Sequence, residues 1–465
     1  MRLNLVGGSY AERSKPFDSQ RSINLYPVFD EATKEGALYP TPGLDEFSTV
    51  GDGQIRAEFA STNGRAFVVS GNGLYEVDST GAETLLGTLA GSSSICSVAE
   101  NPSQLAICDG LVLYILTYAS NVFAQVADVD FPGAGTVTFQ DGYFIFNDPD
   151  TGQFYITAIN DGTDINALDF ATAELSPDDL VRVFSAFGQL WLLGDKTTEV
   201  WYNTGDVDFP FARVEGAKMQ TGCAAAHTVV EIDNTIMWVG QDDKGKGIVY
   251  RAQGYSAQRI STHALERLLQ ASGDLTQLRA YAYQQDGHLF YVLTGGNLET
   301  TLAFDCATQL WHERAYLEAD GTYSTHRGST CMYAFGKHLV GDKSEGKIYQ
   351  MSLDFYDDDG DEIKRQRIFP HLNNEGERFP CNELQVDFEV GVGLTTGQGS
   401  APLCWLEVSR DGGQTWGPEL YKSIGAIGDY NARVVWRKLG IADTVTFRVS
   451  TSDPVKVVLL AAYLK

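Results

Sequence analysis

Two stretches of this 465-residue sequence hold side chains in spacings that chemistry uses. Ser409-Arg410-Asp411-Gly412-Gly413-Gln414-Thr415-Trp416 has the S-x-D-x-G-x-T-W spacing of an Asp box. There a carboxylate caps backbone N–H groups of a hairpin turn and the Trp packs beneath, which is structural chemistry rather than catalysis. The run Asp357-Asp358-Asp359-Gly360-Asp361-Glu362 gathers hard oxygen ligands, and Asp357, Asp359, Asp361 and Glu362 are the candidates for a divalent cation. Its spacing is not that of an EF-hand loop, so a solvated acidic linker is the favoured reading. Seven histidines (227, 263, 288, 312, 326, 338, 371) form neither H-x-x-x-H nor H-E-x-x-H. Seven cysteines contain no C-x-x-C pair, which argues against a disulfide framework or a zinc site. Cys108 and Cys404 lie in apolar runs and read as small buried hydrophobes. With no nucleophile elbow or phosphate loop present, the expectation is a protein that is not an enzyme and needs no cofactor.

The charge balance narrows the partners. Thirty-four basic residues against 61 acidic ones give a formal charge of −27. A protein that grips nucleic acid needs a basic stripe, and this balance is the opposite. Solubility is the simplest use of such acid. A wall past which DNA must slide is the sharper one, because cation–phosphate contacts are what create affinity. No stretch approaches the roughly 20 apolar residues of a membrane helix, and Met1 to Ser9 does not read as a secretory signal. The expectation is a soluble protein made in a cytoplasm, without membrane insertion.

The elements that must carry these residues are strands. Glycine is abundant, with 48 copies, helical periodicity is scarce, and short apolar runs are broken by Gly, Asp and Asn. One unit recurs, a strand, a turn and a second strand holding an aromatic or branched pair. Phe67-Val68-Val69 with Leu74-Tyr75 is one copy, and Leu190-Trp191-Leu192-Leu193 with Val200-Trp201-Tyr202 is another. The seven copies begin at 67, 105, 143, 190, 236, 289 and 338, at intervals of 38 to 53 residues, the period of propeller blades. The fold class expected is all-β: a six- or seven-bladed β-propeller with an extended N-terminal arm and a C-terminal antiparallel β-sandwich. The boundaries read 1–50 for the arm, 51–355 for the propeller, 356–379 for the acidic linker and 380–465 for the sandwich. Ser261 to Gln270 predicts a short helix in a loop between blades, capped by Ser261 or Thr262. In the sandwich, Leu384, Val386, Phe388 and Val390 alternate with polar residues.

The arm is rich in Pro and aromatics. Tyr26, Pro27, Phe29, Tyr39, Pro40 and Pro42 must dock on something, either the chain's own propeller or, as a strap, a neighbouring subunit. Asn24-Leu25-Tyr26-Pro27, Tyr39-Pro40-Thr41-Pro42-Gly43, Gly341 to Tyr349 and Arg433 to Gly440, followed by Phe447-Arg448-Val449 and Ser452-Asp453-Pro454-Val455, resemble the packaged-DNA stabilisation, or tail hub, proteins of short-tailed bacteriophages. The order of arm, propeller and sandwich is similar too. The resemblance implies a non-enzymatic virion tail protein, present in the host cytoplasm before assembly. It implies a ring, with six copies as the family's number, below the portal and its adaptor. Such a ring extends the DNA channel, helps close it after packaging, and holds the tail needle or plug and the receptor-binding spikes or fibres. DNA would pass without sequence-specific binding. The alternative is a carbohydrate-binding or sialidase-like propeller, in which Trp191, Trp201 or Trp238 would stack on sugars. A propeller scaffold of a cellular complex is a third reading.

Overall fold

The computed structural model describes all residues except Glu31, Lys34 and Leu175. Strand patterning dominates, as the composition requires, and among the described residues one α-helix occurs, His263–Ala271. Each of the seven recurring runs is the second strand of a four-stranded antiparallel blade. They are Ala66–Ser70, Gln104–Cys108, Tyr143–Asn147, Gln189–Gly194, Thr235–Asp242, His288–Gly295 and Lys337–Asp342. The middles of these strands are apolar because both faces meet a neighbouring blade. Leu105, Ala106, Ile107 and Cys108 are all fully buried. Between first and second strands, five blades turn on two residues of positive φ: Asp141-Gly142, Phe187-Gly188, Asp233-Asn234, Asp286-Gly287 and Phe335-Gly336. That backbone matches the strand twist, and Gly, Asp and Asn adopt it at least cost.

The propeller has seven blades, which settles the count that the repeat left open. Seven apolar clusters each join one blade to the next, and the last joins blade 7 back to blade 1 through Met332, Leu339 and Ile348 against Ile55, Val68 and Val77. Blade 7 takes its outer strand from the start of the chain: Gly43–Thr49 pairs antiparallel with Lys347–Ser352. Closure needs close backbone approach there. A Cβ on Gly346 would sit 2.4 Å from the carbonyl oxygens of Val50 and Gly51. The half-buried Glu58 of blade 1 accepts from Thr330 Oγ1 (2.6 Å) and Gly341 N (3.0 Å) of blade 7.

The predicted helix stands between blades 5 and 6 with Thr262 as N-cap, its hydroxyl accepting from Leu265 N. The sandwich holds the expected strands Phe379–Phe388, Leu403–Ser409, Val434–Ala442, Thr444–Thr451 and Leu459–Leu464. Leu384, Val386 and Phe388 face its core as their alternation requires, whereas Val390 lies past the end of its strand.

Two expectations are corrected. Residues 356–379 are not a solvated linker: Asp357–Asp358 and Asp361–Glu362 form a hairpin beside Leu44, and Arg365–Ile368 is a buried strand of the sandwich. The arm is not free either. Arg2–Leu3, Leu25–Phe29 and Gly36–Pro40 join one sandwich sheet, and Ser19–Ile23 joins the other. Unpaired backbone in a buried segment would be costly, and pairing into existing sheets satisfies it.

Candidate functional site: the seam between propeller and sandwich

The residues singled out in the arm converge on one place, the seam where the two domains meet. In a strand, neighbouring side chains point to opposite faces. Leu25 and Leu38 therefore enter the sandwich core, while Tyr26 and Tyr39, one residue on, enter a propeller cluster with Tyr283, Phe290 and Tyr349. The Tyr26 ring lies edge-on to Phe290, with centroids 5.3 Å apart. Pro27, Pro40 and Pro42 are buried beside them. In the chain as folded, Tyr26, Pro27, Tyr39, Pro40 and Pro42 pack into its own seam. Of the six, Phe29 alone is exposed, at 39%.

Polar clamps run along the same strands. Ser19–Ile23 pairs with blade 6 on one side, Ile23 opposite Glu313, and with Arg365–Ile368 of the sandwich on the other. A single sheet thus continues from propeller to sandwich through a strand of the arm. Arg21 grips Glu313 with two bonds, Nε at 2.9 Å to Oε1 and Nη2 to Oε2. Burial alone would lower the Arg21 pKa and raise that of Glu313. The pairing overrides both, so each stays charged. Thr300 Oγ1 donates to the same carboxylate at 2.9 Å.

Asn24 follows with φ of 55°, a conformation Asn tolerates better than most residues. Its Nδ2 donates to Ala315 O (2.9 Å) and Lys364 O (3.0 Å), and its Oδ1 accepts from Ala315 N (2.9 Å). One side chain so ties blade 6 to the strand entering the sandwich. Arg367, fully buried, donates to Leu5 O (2.7 Å), Gly8 O (3.2 Å), Ser22 Oγ (3.0 Å) and Gln20 Oε1 (2.8 Å), pinning four points of the arm. Burial pushes its pKa down to about 10, still cationic at neutral pH. The sequence reading missed Arg21, Asn24, Glu313 and Arg367. The signal available was Leu25-Tyr26-Pro27-Val28-Phe29, an apolar run with no polar face, which marks a strand buried on both sides.

The acidic run does not converge on a cation. Among the described residues, no group of three His, Cys, Asp or Glu is placed to hold a metal. Instead, Lys347 Nζ bonds Asp359 at 2.9 Å and Arg327 Nη2 grips Asp361, which also accepts from Tyr316 at 2.8 Å. Asp358 is buried, and burial raises its pKa to about 7 despite the nearby Arg365 and Arg327. The Asp box folds as expected: Asp411 accepts from Ser409 Oγ (2.6 Å), Gln414 N (2.9 Å) and Thr415 N (2.9 Å). These bonds hold its pKa well below the usual carboxylate range. Cys108 and Cys404 are fully buried, and burial pushes both thiols up to about 12. Trp191 and Trp238 are buried, and Trp201 is half-buried with its indole N–H on Glu199 at 2.8 Å, which removes them as a sugar-stacking platform.

A ring of blades fused to a sandwich by buried clamps is the build of a rigid structural subunit. Residues 1–356 match the family model described as bacteriophage P22 Gp10, beta-propeller, and residues 364–465 match that described as bacteriophage P22 Gp10, beta-sandwich. The chain belongs to the bacteriophage P22 Gp10 family and is a phage tail hub and stabilisation protein, a structural component of the virion tail. Among curated proteins, none matches. Among solved structures, the N-terminal domain of Nup159 is 8% identical at a TM-score of 0.42, over 71% of this chain and 99% of that one. The extracellular domain of the putative hybrid two-component system BT4673 of B. thetaiotaomicron is 10% identical at 0.44, over 89% of this chain and 59% of that one. The WD40 domain of Neurospora crassa Pan2 is 7% identical at 0.42, over 66% and 95%. At these identities the likeness is one of fold alone.

Proposed function

We propose that this chain forms a ring of about six copies below the portal adaptor of a short-tailed phage, since closed cyclic symmetry is how identical subunits make a finite channel. In this reading the ring extends the DNA channel, helps close it after packaging, and anchors the tail needle or plug and the receptor-binding spikes or fibres. The observation that carries it is that both domains match, in order, the two domains of one tail protein family. Two physical features support it. The seam makes the subunit one body, as a wall under DNA pressure requires. The charge of −27 disfavours DNA adhesion, so DNA would pass without sequence-specific contacts.

Negative-stain electron microscopy of the purified chain, alone and mixed with portal–adaptor complexes, tests the reading. Closed rings, or density added beneath the adaptor, are expected. Persistent monomers that never join the adaptor would contradict it.

A further inference from the structure

A cavity of about 710 Å³ opens at the seam, walled by the arm, the helix His263–Ala271, blade 6 and the sandwich. Its lining is cationic in an acidic chain. Lys15, Arg21, Arg267, Lys364 and Arg448 face it against three carboxylates, Glu12, Glu299 and Glu313, and Glu313 is already engaged by Arg21. The Asp box supplies part of the wall: Trp416 lines the cavity, and the Arg448 guanidinium stacks 4.2 Å from its ring centroid.

Free donors remain in this wall. Arg21 spends Nε and Nη2 on Glu313, and Arg448 spends Nε and Nη2 on Glu407, which leaves Nη1 of each without a hydrogen-bond partner among the described residues. Lys364 is half-buried, and its ammonium bonds to no described residue. Beside it lie the Tyr323 ring, 5.8 Å away, and the Trp405 ring, 5.5 Å away, with the carboxylates of Glu407 and Glu419 in electrostatic reach. All three cations line this one cavity, where Lys364 feels Arg448 and also the carboxylate of Glu407. A half-buried ammonium that makes no direct hydrogen bond to a described residue is one that a further acceptor would stabilise. Charged donors converging on space select an oxyanion, because each bond to it is charge-assisted.

We propose that the seam cavity is an oxyanion-binding site, in which Lys364 Nζ and the free Nη1 groups of Arg21 and Arg448 receive a phosphate or carboxylate group. Bound there, the anion joins the arm to the sandwich and to the strand that enters it. The site does not depend on the hub reading.

Isothermal titration of the full chain with inorganic phosphate, and separately with acetate at matched ionic strength, tests it. Saturable binding is expected, weakened about tenfold by Lys364→Met, which removes one charge-assisted bond, and unchanged by Lys422→Met on the exposed sandwich edge. Tighter binding of phosphate assigns a phosphate-bearing ligand, and equal or tighter binding of acetate assigns a carboxylate. Binding of neither, or equal binding by Lys364→Met, would overturn the proposal. Should Lys364→Met not fold, crystals of the wild-type chain soaked in tungstate decide it. An anomalous peak between Lys364 and Arg448 upholds the site, and its absence overturns it.

Discussion

The blades and the seam are held together by opposite means. A blade is built from strands a few residues apart, and it meets its neighbours through apolar clusters such as Phe144, Phe146 and Val137 with Ala106 and Ile115. The seam joins residues about as far apart as the chain allows. Arg21 meets Glu313, Asn24 meets Lys364, and Arg367 meets Leu5, through buried polar groups set beside the apolar contacts of Leu25 and Tyr26. Apolar contact is forgiving of exact geometry, and a lost methylene is felt locally. Buried polar clamps are all-or-none, because removing one partner leaves the others desolvated and unpaired. The propeller should therefore soften gradually under mutation, whereas the seam should fail as a unit.

The sharpest way to break that contrast is Arg367→Ala. It strands two backbone carbonyls and the Ser22 and Gln20 side chains, and should cost about 4 kcal/mol in urea unfolding while splitting one transition into two. In blade 3, Phe146→Ala should cost about 3 kcal/mol by leaving a cavity, yet keep a single transition. If both variants behave alike, the distinction between apolar blades and polar seam is empty. Asn24→Gly retains the positive φ and loses three bonds, so a cost of about 2 kcal/mol isolates the clip from the backbone conformation.

Ring closure offers a test by pH. Burial pushes Glu58 from 4.5 up to about 8, against the opposing bonds from Thr330 and Gly341. Between those values the folded chain holds a proton that the unfolded chain has released, so the contribution is full below 4.5 and falls as pH rises towards 8. For one proton the slope is at most about 1.4 kcal/mol per pH unit. Glu58→Gln should remove it, seen as the difference between wild-type and variant urea midpoints across the range. The smallest effect is expected at the helix beside the seam. Thr262→Ala removes the cap of the one helix and should cost about 1 kcal/mol with the seam intact.

The same contrast explains what was legible in the sequence. Seven second strands could be read because each blade repeats its pattern locally, and the helix because Thr262 announces it. The sandwich strand at Leu384 was legible through period-two alternation. The arm was read as extended because nothing near Leu25-Tyr26 says which face meets which domain; the answer lies in strands some 300 residues later. The run 357–362 looked solvated because its cations, Arg327 and Lys347, come from blade 7. Arg365-Gln366-Arg367 falls within the stretch read as a linker, and only the arm folded over it makes it interior. Likewise blade 7 could be counted but its missing fourth strand, Gly43–Thr49, could not be located, since pairing across the ends of a ring leaves no local mark.

Differential scanning calorimetry of the intact chain tests most directly the claim that arm, propeller and sandwich form one body. A single transition is predicted, with calorimetric and van't Hoff enthalpies in agreement. Two resolved transitions in the wild-type chain, with the sandwich melting apart from the propeller, would contradict it.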